Sequence, residues 1–273
     1  MNKDRNNVSM NKLAEIAAAW AKAKQVVVFT GAGMSTESGL PDFRSAQGLW
    51  KVRPESLATL EALKWQPDEF YFFYQWRIAK LWQVIPNPGH RVLAALDSTG
   101  NMTVITQNVD GLHQRANSGN VIELHGSLRT VRCLQCCSVY DSRRLLPLNP
   151  DWEEEYKQGS YHFGEECRCI KCGGLLRPDV VLFGENLPDL AWENAVTNSS
   201  NADFYVVLGS SLVVSPANYL PQLALDNGAK LLIINQEPTP LDHSADWVIN
   251  GSISSVLSAI KDKIVGQAHG AEH

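Results

Sequence analysis

The sequence predicts an α/β fold: a doubly wound parallel sheet, with a smaller domain made of a helical module and a cysteine-rich module. Three observations carry this. Short apolar runs alternate with helix-period segments along most of the chain, the pattern of strands covered on both faces by crossover helices. The first of these runs, Val26-Val27-Val28-Phe29, feeds a glycine turn at Gly31-Ala32-Gly33. Two stretches, 46–98 and 131–177, interrupt the alternation.

Residues 10–24 place Leu13, Ile16, Ala17 and Trp20 at helical spacing and predict an amphipathic leading helix. A strand follows over 25–30. After the glycines, Met34–Ser38 reads as a helix start, where unpaired N–H groups and the helix dipole favour an anion such as a pyrophosphate. Glycines at 31 and 33 lack Cβ atoms, so backbone can approach a phosphate closely. Leu40–Ser45 then sets a carboxylate, a ring and a guanidinium (Asp42, Phe43, Arg44) beside that turn.

Between 46 and 98 the periodicity gives helices at Glu55–Leu63, Pro67–Val84 and Gly89–Asp97, the second with proline in its first turn. This departs from a dehydrogenase unit, which delivers a second strand and a ribose-binding acid about 20 residues beyond its glycines. Strands resume with Met102–Thr106 and, after a helical segment at Asp110–Ala116, Val121–Leu124. Val180–Phe183, Tyr205–Leu208, Leu231–Ile234 and Trp247–Ile249 complete them, separated by helices at 189–200, 216–227 and 252–265. The expected division is a main domain from 1–45, 99–130 and 178–273, with 46–98 and 131–177 forming the small one.

The chain has 273 residues, 44% of them hydrophobic, enough to bury a sizeable core. A net charge of −5 with no basic block predicts no direct nucleic-acid partner. The start, MNKDRNNVSM, lacks an apolar signal region and no run approaches a membrane span, so the expected location is cytoplasmic, without a membrane partner. In a reducing compartment six cysteines point to metal or catalysis rather than disulfides. Cys133-Leu-Gln-Cys136 and Cys169-Ile-Lys-Cys172 are two C-x-x-C pairs, each able to hold two corners of a tetrahedron. Four thiolates close the sphere of one structural Zn2+ and leave no open position for catalysis. The long interval between the pairs predicts a loop or helical excursion over 140–165. Cys167-Arg-Cys169 offers an alternative ligand, but Gly173-Gly174 lets backbone N–H groups turn toward sulfur and favours the second pair; Cys137 and Cys167 are then spare. Glu153-Glu154-Glu155 reads as a solvated helix face.

Thr106-Gln107-Asn108-Val109-Asp110-Gly111-Leu112-His113 follows directly on a buried strand, at the edge where open α/β sheets bind ligands. Gln107, Asn108 and Asp110 combine amide donors, amide acceptors and a carboxylate, the mixture a free carboxamide such as that of nicotinamide needs. Glu123-Leu124-His125-Gly126 places His125 at another strand end as a candidate general base near neutral pH. His113 is a second histidine at this edge. Gly209-Ser210-Ser211 and Asn235-Gln236-Glu237 follow later strands and offer phosphate or ribose contacts.

Together these residues resemble the sirtuins, the NAD-dependent protein lysine deacylases, through GAGMSTESGLPDFRS, TQNVDGLH, ELHG, the two C-x-x-C pairs, RPDVVLFGE, LGSSLVVSP and IINQEP. The resemblance covers nearly the whole chain in order. It implies a large Rossmann-like NAD-binding domain of inverted topology and a small domain of helical and zinc modules, with NAD and substrate meeting between them. It assigns Ala32, Thr36, Phe43 and Arg44 to NAD, and Gln107, Asn108 and Asp110 to the nicotinamide and ribose pocket, with Asn108 also catalytic. His125 matches the catalytic base, and Gly209, Ser210, Ser211, Asn235 and Gln236 match adenosine-side contacts. Val181, Phe183, Gly184 and Glu185 match the edge that pairs with the substrate peptide, faced by Val213 and Val214, a form of β-augmentation. The implied partners are acyl-lysine proteins or peptides. The implied reaction is attack of the acyl oxygen on C1′ of the nicotinamide ribose, then proton removal by His125, giving free lysine, nicotinamide and O-acyl-ADP-ribose. Acetyl-lysine is the favoured substrate, in keeping with Asp42 of the P-D-F-R run. Tyr74-Gln-Trp-Arg77 also resembles the Tyr-x-x-Arg of desuccinylating sirtuins, on one helix face but nearer to Pro86-Asn87-Pro88-Gly89-His90 than in that group, which leaves acyl preference open. Two other readings stand beside this one: an ADP-ribosyltransferase using the same NAD site, and a non-enzymatic NAD or ADP-ribose sensor.

Overall fold

The computed structural model describes residues 9–45, 48–51, 53–97 and 100–270. The module boundaries expected at 46, 98 and 99, and the first eight residues, lie outside the described residues. In chain order the strands are β1 (Val26–Thr30), β2 (Met102–Thr106), β3 (Asn120–Glu123), β4 (Gly126–Cys133), β5 (Val139–Asp141), β6 (Leu176–Val180), β7 (Phe204–Leu208), β8 (Lys230–Ile234) and β9 (Trp247–Ile249). The helices are α1 (Met10–Lys22), α2 (Leu60–Trp65), α3 (Pro67–Gln83), α4 (Pro88–Leu96), α5 (Leu112–Arg115), α6 (Trp152–Lys157), α7 (Asp189–Asn201), α8 (Tyr219–Asp226) and α9 (Ile253–Gly270).

Six strands form one parallel sheet in the order β3-β2-β1-β7-β8-β9, with Val28 level with Val104 on one side and Val206 on the other. Every residue of β1, β2 and β7 is buried, which is why these strands carry no charge and are mostly apolar, with Thr30, Thr103 and Thr106 the buried threonines among them. Alternation sorts them between two layers. Val26, Val28, Val104 and Val206 pack under α1, α4 and α9 through Ile16, Leu93 and Leu257. Val27, Phe29, Ile105 and Val207 pack on the other face against Ala195 of α7 and Leu220 of α8. Each such aliphatic side chain taken from water contributes about 1.5–3 kcal/mol.

The two interrupting segments share a third core. Phe70, Tyr71, Phe73 and Ile78 of α3 pack against Leu128 and Val131 of β4 and Leu176 of β6. There β5-β4-β6 form a separate antiparallel sheet. This corrects the expectation of a main-sheet strand at Val180–Phe183. The strand is Leu176–Val180, its alternating buried and half-buried residues match a sheet covered on one face, and the chain leaves it at Val181. Strand β4 was not expected at all. A register shift between Ser127 and Val131 breaks its two-residue period and hides it from a periodicity reading.

The helix expected over Glu55–Leu63 is two pieces, a 3-10 turn at Glu55–Ala58 and then α2. Thr59 separates them in an extended conformation and caps α2, its hydroxyl accepting from the Ala62 N–H at 3.1 Å. The segment expected at Asp110–Ala116 shortens to α5 because Gly111 takes a left-handed φ of 66°. The excursion over 140–165 is present as a 3-10 turn at Ser142–Leu145 followed by α6, on which Glu153 and Glu154 are exposed.

Candidate active-site cleft

The carboxyl ends of β1, β2, β7 and β8 open onto a cavity of about 810 Å³, walled on its far side by α3 and by the segment after β6. The turn after β1 is a seven-residue 3-10 helix, Ala32–Ser38, rather than the expected start of an α-helix. It ends at Gly39, in a left-handed conformation with φ 94°. Its glycines, which line the cavity, also make a contact the sequence did not suggest. A Cβ on Gly31 would lie 2.7 Å from the Gly209 carbonyl oxygen, and one on Gly33 2.8 Å from Gly209 Cα. Gly33 N–H donates to Gly209 O at 2.9 Å. The bare backbones of the β1 and β7 loops are therefore interlocked, and that packing forms the floor of the cleft.

Ala32, Thr36, Phe43 and Arg44 line the cavity near this floor. The Thr36 hydroxyl donates to the Gly33 carbonyl at 2.9 Å. Phe43 packs on Trp50 with centroids 5.0 Å apart, and Arg44 reaches Glu55 at 3.1 Å on the exposed rim. On the β7 and β8 side, Gly209, Ser210, Ser211, Asn235 and Gln236 also line it. Gln107 Nε2 donates to Ser210 Oγ at 2.9 Å, which ties the β2 and β7 loops together. Asn235 Nδ2 donates to the Glu237 carbonyl at 2.8 Å.

Below this rim lies a buried polar cluster. Asn108 Nδ2 donates to Gly31 O at 3.0 Å and to Ser35 Oγ at 3.3 Å. Ser35 Oγ donates to Asp110 Oδ2 at 2.7 Å, and Asp110 Oδ1 accepts from the Leu112 N–H at 2.9 Å. Burial raises the Asp110 pKa, while these two donors and the Arg129 and Arg115 charges hold it back. Ser35 thus joins Asn108 to Asp110, a part the sequence reading missed although the residue sits inside the quoted glycine motif.

His125 stands opposite, on the turn between β3 and β4. Its Nδ1 lies 2.9 Å from the Gln107 carbonyl oxygen. A carbonyl only accepts, so Nδ1 carries the proton and the neutral ring has its lone pair on Nε2. Burial lowers the His125 pKa, opposed by that carbonyl contact, which favours the neutral base. His113 is placed elsewhere. It is buried under the loop, bonded to Thr30 Oγ1 at 3.0 Å, with its ring 4.8 Å from that of His90. Burial lowers the pKa of His113 to about 3 and that of His90 to about 4.

Val181, Phe183, Gly184, Glu185 and Val214 line the outer wall. Val181 N–H donates to His125 O at 2.8 Å and Phe183 N–H to Ala58 O at 2.9 Å, so this edge is tied to both the base and the helical module. The Glu185 carboxylate is engaged internally: Arg177 donates to it at 2.7 and 2.8 Å and the Leu182 N–H at 2.8 Å. Val213 is not in the lining; Leu212 buries with a left-handed φ of 54° and Val213 is left 53% exposed. Tyr74 and Arg77 do reach the cavity. The Arg77 guanidinium lies 5.4 Å from the ring centroids of Phe43, Phe73 and Tyr74, and no carboxylate among the described residues pairs with it.

Away from the cleft, the sulfur atoms of Cys133, Cys136, Cys169 and Cys172 all lie within 4.8 Å of one another. Cys133 and Cys172 are 3.5 Å apart and Cys136 and Cys169 3.6 Å. Tetrahedral zinc with bonds of about 2.3 Å requires sulfurs about 3.8 Å apart, so the donor set fits that ion. Gln135 and Lys171 N–H groups point at Cys133 and Cys169 sulfurs at 3.4 Å, stabilising thiolate character in each knuckle. Cys167 takes no part: it is buried beside Gln75 Nε2 and Glu166, and burial foremost, then the Glu166 carboxylate, raise its pKa far above that of a free thiol. Cys137 is exposed.

A parallel sheet whose strand ends carry an amide, a carboxylate and an imidazole around one cleft, with a closed four-thiolate module beside it, defines a dinucleotide-dependent α/β protein with a structural metal. The Sir2 family model matches residues 31–216, and the chain belongs to that family. It is 49% identical over 248 residues, 89% of this chain and 95% of the relative, to "NAD-dependent protein deacetylase 1" of Geobacillus kaustophilus. It is 43% identical over 251 residues, 91% and 94% of the two chains, to "NAD-dependent protein deacylase 2" of Pyrobaculum aerophilum. Among solved structures it resembles a Sir2 complex with a deacetylated p53 peptide and 3′-O-acetyl-ADP-ribose, with TM-score 0.81, 36% identity and coverage of 92% and 98%.

Proposed function

We propose that this protein is an NAD-dependent protein lysine deacylase acting first on acetyl-lysine, with His125 as its base. The observation that carries this is the His125 tautomer: Nδ1 is committed to the Gln107 carbonyl, so the lone pair is on Nε2 of a residue lining the cleft. NAD supplies the ribose carbon that the acyl oxygen attacks as nicotinamide leaves. After the ribose hydroxyl adds to the acyl carbon, a water molecule completes cleavage of its bond to the lysine nitrogen, so the products are free lysine, nicotinamide and O-acyl-ADP-ribose. Asp110 accepts from the carboxamide, and Asn108, held by Gly31 O and Ser35, orients the ribose beside it. His125 removes a proton from the ribose hydroxyls. Ala32, Thr36, Phe43, Arg44, Gln107, Gly209, Ser210, Ser211, Asn235 and Gln236 hold the rest of the dinucleotide. The peptide lies along Val181, Phe183 and Gly184, opposite Val214, with Glu185 acting through Arg177. The four cysteines hold one zinc ion that stabilises the small domain. In this reading 1–45, 99–130 and 178–273 bind NAD, and 46–98 with 131–177 close the cleft. None of the described helices is long and apolar enough to cross a membrane, and all six cysteines are free, which supports a cytoplasmic location.

His125→Ala or His125→Tyr is expected to abolish NAD-dependent deacetylation of a peptide, read by mass spectrometry, while circular dichroism stays that of the wild type. Retained turnover would remove His125 from this role. NAD-dependent ADP-ribosylation of protein without acyl-lysine would favour the transferase reading, and saturable NAD binding without turnover the sensor.

Arg77 favours a second activity. A guanidinium without a carboxylate partner in the acyl end of the cleft, beside Tyr74, suits a dicarboxylic acyl chain. Measurable succinyl-peptide turnover is expected beside the faster acetyl-peptide turnover, with Arg77→Leu losing only the former. Succinyl turnover far below acetyl turnover in the wild type removes this second activity.

A further inference from the structure

Arg129 lies outside the cleft lining, yet it touches three of the segments that build the nicotinamide end. Its Nη2 donates to both Glu123 carboxylate oxygens, at 3.2 and 3.0 Å, at the end of β3. Its Nε donates to Ser127 Oγ at 3.1 Å, and its backbone N–H reaches the same oxygen at 3.3 Å. Glu123 and Ser127 flank His125, so the guanidinium fastens the two ends of the turn that carries the base. The third segment is the β2 loop. Gly111 has φ 66°, and a Cβ there would collide with Arg129 Nε and Cδ, so the side chain occupies the space beside the bare Gly111 backbone. One residue back, Leu128 N–H donates to Val109 O at 2.7 Å and sets the same registry.

We propose that Arg129 is a positioning residue for the carboxamide site, fixing the Asp110 loop against the His125 turn through Glu123, Ser127 and Gly111. This rests on the deacylase reading only for the roles of Asp110 and His125. The contact has two consequences. The first is geometric: Nη2 on the Glu123 carboxylate, Nε on Ser127 and the side chain against Gly111 hold Asp110 where a carboxamide N–H must meet it. The second is electrostatic. Asp110 is buried, and the charged groups facing it are Arg129 from β4, Arg115 from α5, Arg77 from α3 and Glu123 from β3. Arg129 offsets Glu123 and helps keep Asp110 ionised. Removing the cation raises the Asp110 pKa, so the site loses its acceptor at a higher pH than before.

The test compares NAD with ADP-ribose, which lacks nicotinamide, on the full chain by calorimetry between pH 5 and pH 8. Arg129→Met is expected to weaken NAD binding roughly three- to tenfold while ADP-ribose binding stays within about twofold, since only the carboxamide contact is disturbed. The acid limb of NAD affinity is expected to move to higher pH. Arg129→Lys, which keeps the charge but not the fork, is expected to restore the pH limb and only part of the affinity. Equal loss for both ligands, or no loss for either, overturns the proposal. So does a pH limb that does not move in Arg129→Met. If Arg129→Met fails to fold by thermal melting, Arg129→Lys alone decides it, because unchanged NAD affinity there also overturns the proposal. These readouts need no turnover, so a wild type that binds NAD but deacylates nothing would fell the deacylase reading and leave the binding comparison to stand.

Discussion

The buried histidine pair makes a specific prediction about acid. His90 and His113 are fully enclosed, and beyond the bond from His113 to Thr30 the described residues offer their remaining ring nitrogens no partner. Their folded values of about 4 and about 3 lie below the ordinary imidazole value of about 6.5. The unfolded chain therefore binds protons first as pH falls. Stability is lost progressively below pH 6.5, and the loss levels off only near pH 4 for His90 and near pH 3 for His113. Each ring costs about 1.4 kcal/mol per pH unit within that window, so moving from pH 7 to pH 5 costs about 2 kcal/mol for each and about 4 kcal/mol for the pair. Asp110 and Glu123 act with the opposite sign, because burial raises their folded values and the folded protein takes up their protons more readily. His125, whose folded value burial also lowers, acts with the same sign as the pair. The value of about 4 kcal/mol is thus the share of His90 and His113 alone, a large part of a domain stability of about 5–15 kcal/mol. Urea titrations at pH 7 and pH 5 measure it directly. His113→Gln retains a donor toward Thr30 and should shrink the pH difference by about 2 kcal/mol. A wild type equally stable at both pH values, or a variant with the same acid sensitivity, would refute the argument.

Two further predictions concern the metal and the interlocked loops. Purified protein should contain one zinc per chain by elemental analysis, and a strong chelator or Cys133→Ser should lower the melting temperature and promote aggregation, since the β4–β6 sheet loses its clamp. Full stability after complete zinc removal would contradict this. Gly209→Ala places a Cβ against Met34 N and the Gly33 backbone at a left-handed φ of 59°. It should cost on the order of 2–4 kcal/mol in urea denaturation and weaken NAD binding, and a change under about 0.5 kcal/mol would show that the loops can part freely.

What could be read from the sequence follows from which contacts are local. Strands β1, β2 and β7 were visible because burial on both faces leaves them mostly apolar and free of charge, and the cysteine pairs because each ligand pair shares one turn. The polar residues at the strand ends were visible as residue types. Their geometry was not, because it depends on distant neighbours: Gly33 on Gly209, Asp110 on Ser35, Glu185 on Arg177. Strand β4 escaped because its bulge breaks the period, and the Val180–Phe183 strand was misplaced because an apolar run does not say which sheet it joins. Arg129 gave no signal at all; nothing within its own turn marks it as the clasp between two loops.

The strand order also bears on how the chain is made. β1 lies at the centre of the parallel sheet, yet one of its two neighbours, β7, is synthesised only after both interrupting segments. Leu13, Ile16 and Trp20 near the start share their core with Val256, Leu257 and Ile260 near the end. On the ribosome, β1 therefore emerges with half its pairing missing and waits, apolar on both faces, until Phe204–Leu208 leaves the exit tunnel. Closing so long a loop makes folding slow and late, and the half-made chain becomes a natural client of chaperones.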